Sequence, residues 1–217
     1  MKKTTIAALV ITLTAAMSSV HAQDAAAGDA AKGKTKAAMC IGCHGIEGYK
    51  ASFPEVYQVP KISGQGAKYI ASALTAYRKG ERKHPTMKGI AGSLTDADIA
   101  DLAAFYAADV KPSSAAAPAP SAEVAELLKK GNCASCHGEG MNKPIDPSYP
   151  KLAGQHADYL LVALKAYKTT NNANVGRGNA IMAGMAAPFN NAELKQLAGY
   201  IASLPGELAV VPNAKFR

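Results

Sequence analysis

Residues 39–48 read "MCIGCHGIEG" and residues 132–140 read "NCASCHGEG". These two stretches hold all four cysteines of the chain, each pair as Cys-x-x-Cys-His, and their reading decides the fold. Cys40-Ile41-Gly42-Cys43-His44-Gly45 lies over Cys133-Ala134-Ser135-Cys136-His137-Gly138 at an offset of 93. Working outward, "PKISGQGAKYI" from Pro60 matches "PKLAGQHADYL" from Pro150 at an offset of 90. "MKGIAGSLTDADIADLAAFYA" from Met87 matches "MAGMAAPFNNAELKQLAGYIA" from Met182 at an offset of 95. Three blocks in the same order are the mark of a duplicated unit.

Between the copies, "KPSSAAAPAPS", residues 111–121, alternates Pro and Ala with Ser and has no apolar period, which suits a semi-extended linker. The domain reading is therefore residues 23–110, a linker at 111–121, and residues 122–217. Both units read as all-α. Each closes with a capping pattern, Thr95-x-x-Asp98 or Asn190-x-x-Glu193, running into apolar residues at helical spacing. Similar spacing at Tyr69, Ala73 and Tyr77, and at Tyr159, Ala163 and Tyr167, predicts a middle helix in each unit. Shorter helices are expected before each cysteine pair, near 30–38 and 122–130, and no stretch reads as a sheet.

Residues 1–22 form a leader. Lys2 and Lys3 precede an apolar run from Ile6 to Met17, which is followed by Val20-His21-Ala22, a small-x-small cleavage pattern. The run is shorter than the roughly 20 residues that span a bilayer. An exported chain, cut before Gln23, is expected. The formal charge of +8 falls to +6 without Lys2 and Lys3, and it is spread over both units. No dense arginine stripe or interleaved aromatics suggest nucleic acid. A mildly positive surface suits an acidic protein partner or peripheral association with an anionic membrane. With no Trp and only four Phe in an alanine-rich chain, something other than side chains must fill each core.

The cysteine motif names the filler. A shared four-cysteine zinc site would need a loop of 89 residues between Cys43 and Cys133, against about 15 to 20 in common zinc motifs. A thioredoxin-type pair would sit in an α/β pattern. Neither needs a histidine directly after the second cysteine, twice. Covalent haem attachment does: two sulfurs add to two vinyl groups, and the adjacent histidine is carried to the iron. Two covalently bound haem c groups are expected, on Cys40 and Cys43 and on Cys133 and Cys136, with His44 and His137 as proximal ligands.

With these motifs in place the chain resembles the class I c-type cytochromes, and specifically the dihaem cytochrome c4 family. The resemblance runs over the leader, both Cys-x-x-Cys-His units, the Pro-Lys-(Ile/Leu)-x-Gly-Gln and Met-x-Gly segments and the final helices. It implies two tandem cytochrome c domains related by a pseudo-twofold axis. Equivalent places in the repeat make Met87 and Met182 the sixth ligands, and the family's Met-x-Gly context agrees. Met185 is the rival in the second copy, but its counterpart is Ile90. His84 and His156 have no histidine counterparts and are read as bystanders. The resemblance also implies that the carbonyls of Pro60 and Pro150 orient the two histidines. Two departures stand out, an insertion at 49–59 and a longer loop, "KTTNNANVGRGNAI", from Lys168. Both loops should border the haems.

Saturated iron suits electron transfer. The functional expectation is a monomeric, periplasmic, non-enzymatic carrier between redox proteins, from a quinol-oxidising complex to a terminal oxidase; the resemblance suggests a cbb3-type oxidase. The alternatives are a dihaem peroxidase or thiosulfate-oxidising enzyme, which needs an open or differently ligated iron, and a cytochrome subunit of a larger dehydrogenase or oxidase. The tail from Pro205 to Arg217 reads as an end without structure of its own, or as a docking segment.

Overall fold

A computed structural model describes residues 28–108, 110 and 113–211. The leader and its cleavage point lie outside the described residues. The fold is mostly helical, as two lobes in tandem. The first lobe holds α1 (Ala30–Lys36), α2 (Ala38–His44), α3 (Ala67–Lys79), α4 (Pro85–Gly92) and α5 (Asp96–Ala108). The second holds α6 (Ala122–Gly131), α7 (Ala134–His137), α8 (Ala157–Lys168), α9 (Ala180–Ala186) and α10 (Asn191–Ser203). Residues 113–121, between them, carry neither helix nor strand.

The capping patterns act as the sequence suggests. Thr95 and Asp98 exchange hydrogen bonds, with Asp98 N–H donating to Thr95 Oγ1 at 3.1 Å and Thr95 N–H to Asp98 Oδ2 at 3.0 Å. Asn190 and Glu193 form the equivalent box on α10. Each box satisfies amide donors that a helix start leaves without partners. The apolar faces that follow build the cores: Leu102, Ala103 and Tyr106 of α5 close on Ala37 and Ile70, while Leu194, Leu197, Ala198 and Ile201 of α10 close on Leu127, Leu160 and Phe189.

In the first lobe α1 crosses α5 closely enough that Gly33 has no room for a side chain. A β-carbon there would stand 2.0 Å from the Asp101 carbonyl oxygen and 2.7 Å from Phe105 Cβ. Lys36 reinforces the crossing with ion pairs to Asp98 and Asp101, both at 2.7 Å. Gly33→Ala is expected to cost about 1–3 kcal/mol through overpacking, read as a lower urea midpoint of the haem-loaded protein. Gly199→Ala in α10, where the added methyl meets nothing within 4 Å, should instead stabilise by up to about 1 kcal/mol.

Among the described residues, four short strands depart from the expectation that no stretch forms a sheet. β1 (Lys50–Ala51) pairs antiparallel with β2 (Tyr57–Gln58) inside the 49–59 insertion. β3 (Arg82–Lys83) of the first lobe pairs antiparallel with β4 (Gly176–Arg177) of the second. Two-residue strands are too short to leave an alternating pattern in sequence. The second pair joins the lobes. The insertion serves the same end: Gln58 N–H donates to Asp158 Oδ2 at 2.8 Å, and Glu55 pairs with Lys165 at 2.6 Å.

The tail also differs from its sequence reading. Beyond α10 the chain returns to the first lobe, where Ala209 N–H donates to the Ser63 carbonyl at 3.0 Å, while Glu207 pairs with Lys151 of its own lobe. Leu208 is buried. Residues 205–211 thus strap the two lobes; 212–217 lie outside the described residues.

Candidate functional site

Cys40 and Cys43 lie on α2, which ends at His44; Cys133 caps α7, which carries Cys136 and ends at His137. The short helices project both sulfurs and the imidazole toward one side. His44 Nδ1 donates to the Pro60 carbonyl at 2.8 Å, and His137 Nδ1 to the Pro150 carbonyl at 2.9 Å. That fixes each ring and leaves Nε2 as its free nitrogen. Burial lowers the pKa of both histidines, an effect that the carbonyl bond only partly offsets. The rings are held neutral, the form that binds metal.

Met87 and Met182 sit in the first turns of α4 and α9, both partly buried. Met185 is 39% exposed, which sets it apart from the pair. The start of each helix is fixed by the side chain three residues before the methionine. Asn179 Oδ1 accepts from Met182 N–H at 2.9 Å, and His84 Nδ1 accepts from Met87 N–H at 3.4 Å. His84 Nε2 is hydrogen-bonded to the Tyr57 hydroxyl at 3.0 Å. His84 is the first lobe's version of the Asn179 cap, with both ring nitrogens engaged by protein groups. Met141 is core, buried against Leu160 and Ile201.

These parts face one space. A continuous, largely apolar cavity of about 560 Å³ runs through both lobes and is lined by the four cysteines, His44, His137, Met87, Met182, Pro60 and Pro150, and also by His84 and Met185. Both departing loops reach it, through Tyr49 to Phe53 and through Arg177 and Asn179.

Sequence reading missed the polar cluster where the halves of this cavity meet. Arg82 and Arg177 are paired in the interlobe ribbon, and their guanidiniums donate to one acceptor, the Tyr159 hydroxyl, at 2.7 and 3.0 Å. Arg82 stacks over Tyr77 at 4.5 Å and Arg177 over Tyr167 at 5.2 Å. Among the described residues neither arginine has a carboxylate partner, and Arg82 Nε is enclosed with no acceptor at all. Burial raises the Tyr159 pKa, but Arg177 and Arg82 outweigh it and pull the phenol down to about 8. Two enclosed cations lacking an anion are costly. Their counter-charge has to come from what fills the cavity. A haem fits: it is a large apolar plate with two vinyl-bearing positions for the cysteines and two carboxylates on the opposite edge. The signal was present in sequence as Arg82 and Arg177 at the same repeat offset of 95 as the methionines.

The cytochrome c family model matches residues 30–107 and again 121–205. The chain belongs to the cytochrome c family, in its dihaem cytochrome c4 branch. It is 35% identical over 199 residues to cytochrome c4 of Azotobacter vinelandii, a match covering 82% of this chain and 90% of the relative. It is 30% identical over 181 residues to the thiosulfate dehydrogenase electron acceptor of Thiomonas intermedia, covering 78% and 80%. The reduced recombinant cytochrome c4 from Pseudomonas stutzeri superposes with a TM-score of 0.59 at 30% identity, over 82% of this chain and all of that one. As a dihaem cytochrome of this family the chain carries two covalently bound haem c groups and transfers electrons.

Proposed function

We propose that this dihaem cytochrome is a periplasmic carrier that takes electrons from a quinol-oxidising complex and delivers them to a terminal oxidase, with no reaction catalysed at either iron. Its domains are residues 23–110 and 122–217, joined by 111–121, and residues 1–22 are removed on export. Cys40 and Cys43, and Cys133 and Cys136, attach the two haems. His44 and Met87 are the axial ligands of the first, His137 and Met182 of the second. The bound groups supply reversible exchange between ferric and ferrous iron.

The observation that carries this reading is the equivalence of the two half-sites. Each presents a carbonyl-oriented neutral histidine and a capped, partly buried methionine to the same cavity. An iron held by histidine and methionine has no open position for substrate, and methionine raises its potential relative to a second histidine. The ring orientation imposed by Pro60 and Pro150 keeps the ligand set the same in both oxidation states, so little has to rearrange when an electron moves. The role in the Thiomonas intermedia relative's name, electron acceptor, is likewise that of a carrier.

The test is the far-red iron–methionine charge-transfer band of the oxidised protein, calibrated per haem. Intensity for two methionine-ligated haems is the expected result. Intensity for one or none would put an open or differently ligated iron in a lobe and move the peroxidase or thiosulfate-oxidising reading ahead. The direction of electron flow is tested by whether oxidase-containing membranes oxidise the reduced protein and lose that ability when the oxidase is inhibited.

A further inference from the structure

Gly64-Gln65 and Gly154-Gln155 occupy matching places in the repeat, each just after the proline that contacts its lobe's histidine. The glutamines do not serve their own lobes alone. Gln155 Oε1 accepts from Lys61 N–H at 2.9 Å, and its Nε2 donates to the Lys61 carbonyl at 2.9 Å. Gln65 does the same in reverse, accepting from Lys151 N–H and donating to the Lys151 carbonyl, both at 2.9 Å. Lys61 Nζ reaches the Gly154 carbonyl at 2.7 Å, and Lys151 Nζ reaches Gly64 at 2.8 Å. Gln65 is 4% exposed and Gln155 5%, so these bonds are shielded from water.

The main-chain geometry makes this more than an interface. Lys61 N–H and the Pro60 carbonyl belong to one peptide group, and that carbonyl is the one His44 Nδ1 donates to. The same holds for Lys151 N–H, the Pro150 carbonyl and His137. Hydrogen bonds in series polarise one another. Donation by the peptide N–H to a glutamine oxygen makes the carbonyl a stronger acceptor, which in turn draws on the imidazole N–H and makes the ring a more basic ligand. We propose that Gln65 and Gln155 are crossed positioning residues, each fixing the orientation and basicity of the axial histidine in the opposite lobe through a single peptide group. The inference rests on the assignment of His44 and His137 as axial ligands.

It predicts a crossed response. Gln155→Leu keeps the side chain's bulk and removes both of its bonds to Lys61. In the full-length haem-loaded protein it should raise the midpoint potential of the first lobe's haem, since a less basic histidine stabilises ferric iron less. The paramagnetically shifted haem methyl signals of that lobe should move with it. Gln65→Leu should act on the second lobe. Signals are assigned to lobes with Met87→Ala, whose surviving methionine-ligated haem belongs to the second lobe. Gln155→Glu retains the acceptor for Lys61 N–H and makes it anionic, so it should lower the first lobe's potential, opposite in sign to the leucine variant; it also serves if the leucine chain does not load haem. Shifts confined to the mutated lobe, equal shifts in both lobes, or none would overturn the proposal. A wild-type protein lacking two methionine-ligated haems would instead fault the ligand assignment beneath it.

Discussion

Replacing both Cys133 and Cys136 by alanine is expected to yield a chain with one haem instead of two and a second lobe that no longer folds cooperatively. The reason lies in what that lobe has available for a core. Its packed residues are Leu127, Leu160, Leu194, Leu197, Phe189 and Ile201, together with alanines, arranged around a cavity rather than filling it. A cavity left behind in a protein costs roughly 24 cal/mol per Å³. About half of the 560 Å³ cavity then corresponds to about 7 kcal/mol, within the ~5–15 kcal/mol that holds a whole domain folded. The first lobe should suffer as well, because it would lose the Gln155 bonds to Lys61, the Arg177 ribbon and the strap at Ala209. Haem content by alkaline pyridine spectrum should fall by half, and helical circular dichroism should be weaker and melt at lower temperature. A single cooperative melt at the wild-type temperature would mean that the protein core does not depend on the second haem.

The attachment motifs and the proposed ligands are legible in sequence because they are local. Cys-x-x-Cys-His places its three functional atoms within five residues, and Met87 and Met182 are pinned by caps only three residues away. Duplication supplied a second reading of each position, which separates Met182 from Met185 and which the exposure of Met185 supports. The helices were legible for the same reason, since capping boxes and apolar spacing are decided within one or two turns. What escaped was long-range. Gln65 meets Lys151 across 86 residues, Arg82 meets Tyr159 across 77, and the tail returns to Ser63; none of these pairs carries a local pattern. His84 looked unrelated to any histidine because its counterpart is an asparagine. The shared property is a cap acceptor, which residue identity hides.

Repetition could still have pointed to the interface. Gln65 and Gln155, Lys61 and Lys151, and Arg82 and Arg177 each recur in both copies. In a single lobe such residues have nothing obvious to do. A pseudo-twofold axis gives each copy a partner in the other, and residues near the axis are then used twice. The insertion at 49–59 and the loop from Lys168 break that symmetry. They add Tyr57 beside His84 on one side and Lys83 to Asn172 on the other, so the two haem environments cannot be equal.

That inequality gives the methionine variants their value. Met182→Ala should remove half of the far-red charge-transfer band, open one iron to exogenous ligands such as cyanide or imidazole, and lower that haem's potential. Axial ligation governs potentials over roughly 0.8 V, so a fall on the order of a few tenths of a volt is expected. Met87→Ala should remove the other half and lower the other potential, and the double variant should abolish the band. Met185→Ala should leave band and potentials nearly unchanged, because that side chain is the more exposed of the two and its repeat counterpart is Ile90. The reverse result, with Met185 essential and Met182 silent, would shift the ligand by almost one turn along α9 and break the equivalence of the lobes. Loss of the band should also abolish electron delivery at the rate of the intact protein, since an altered iron of lower potential can take an electron from its unaltered neighbour only uphill. Electron transfer that survives Met182→Ala at full rate would mean that electrons enter and leave through the first lobe alone, and that the second haem is not on the route.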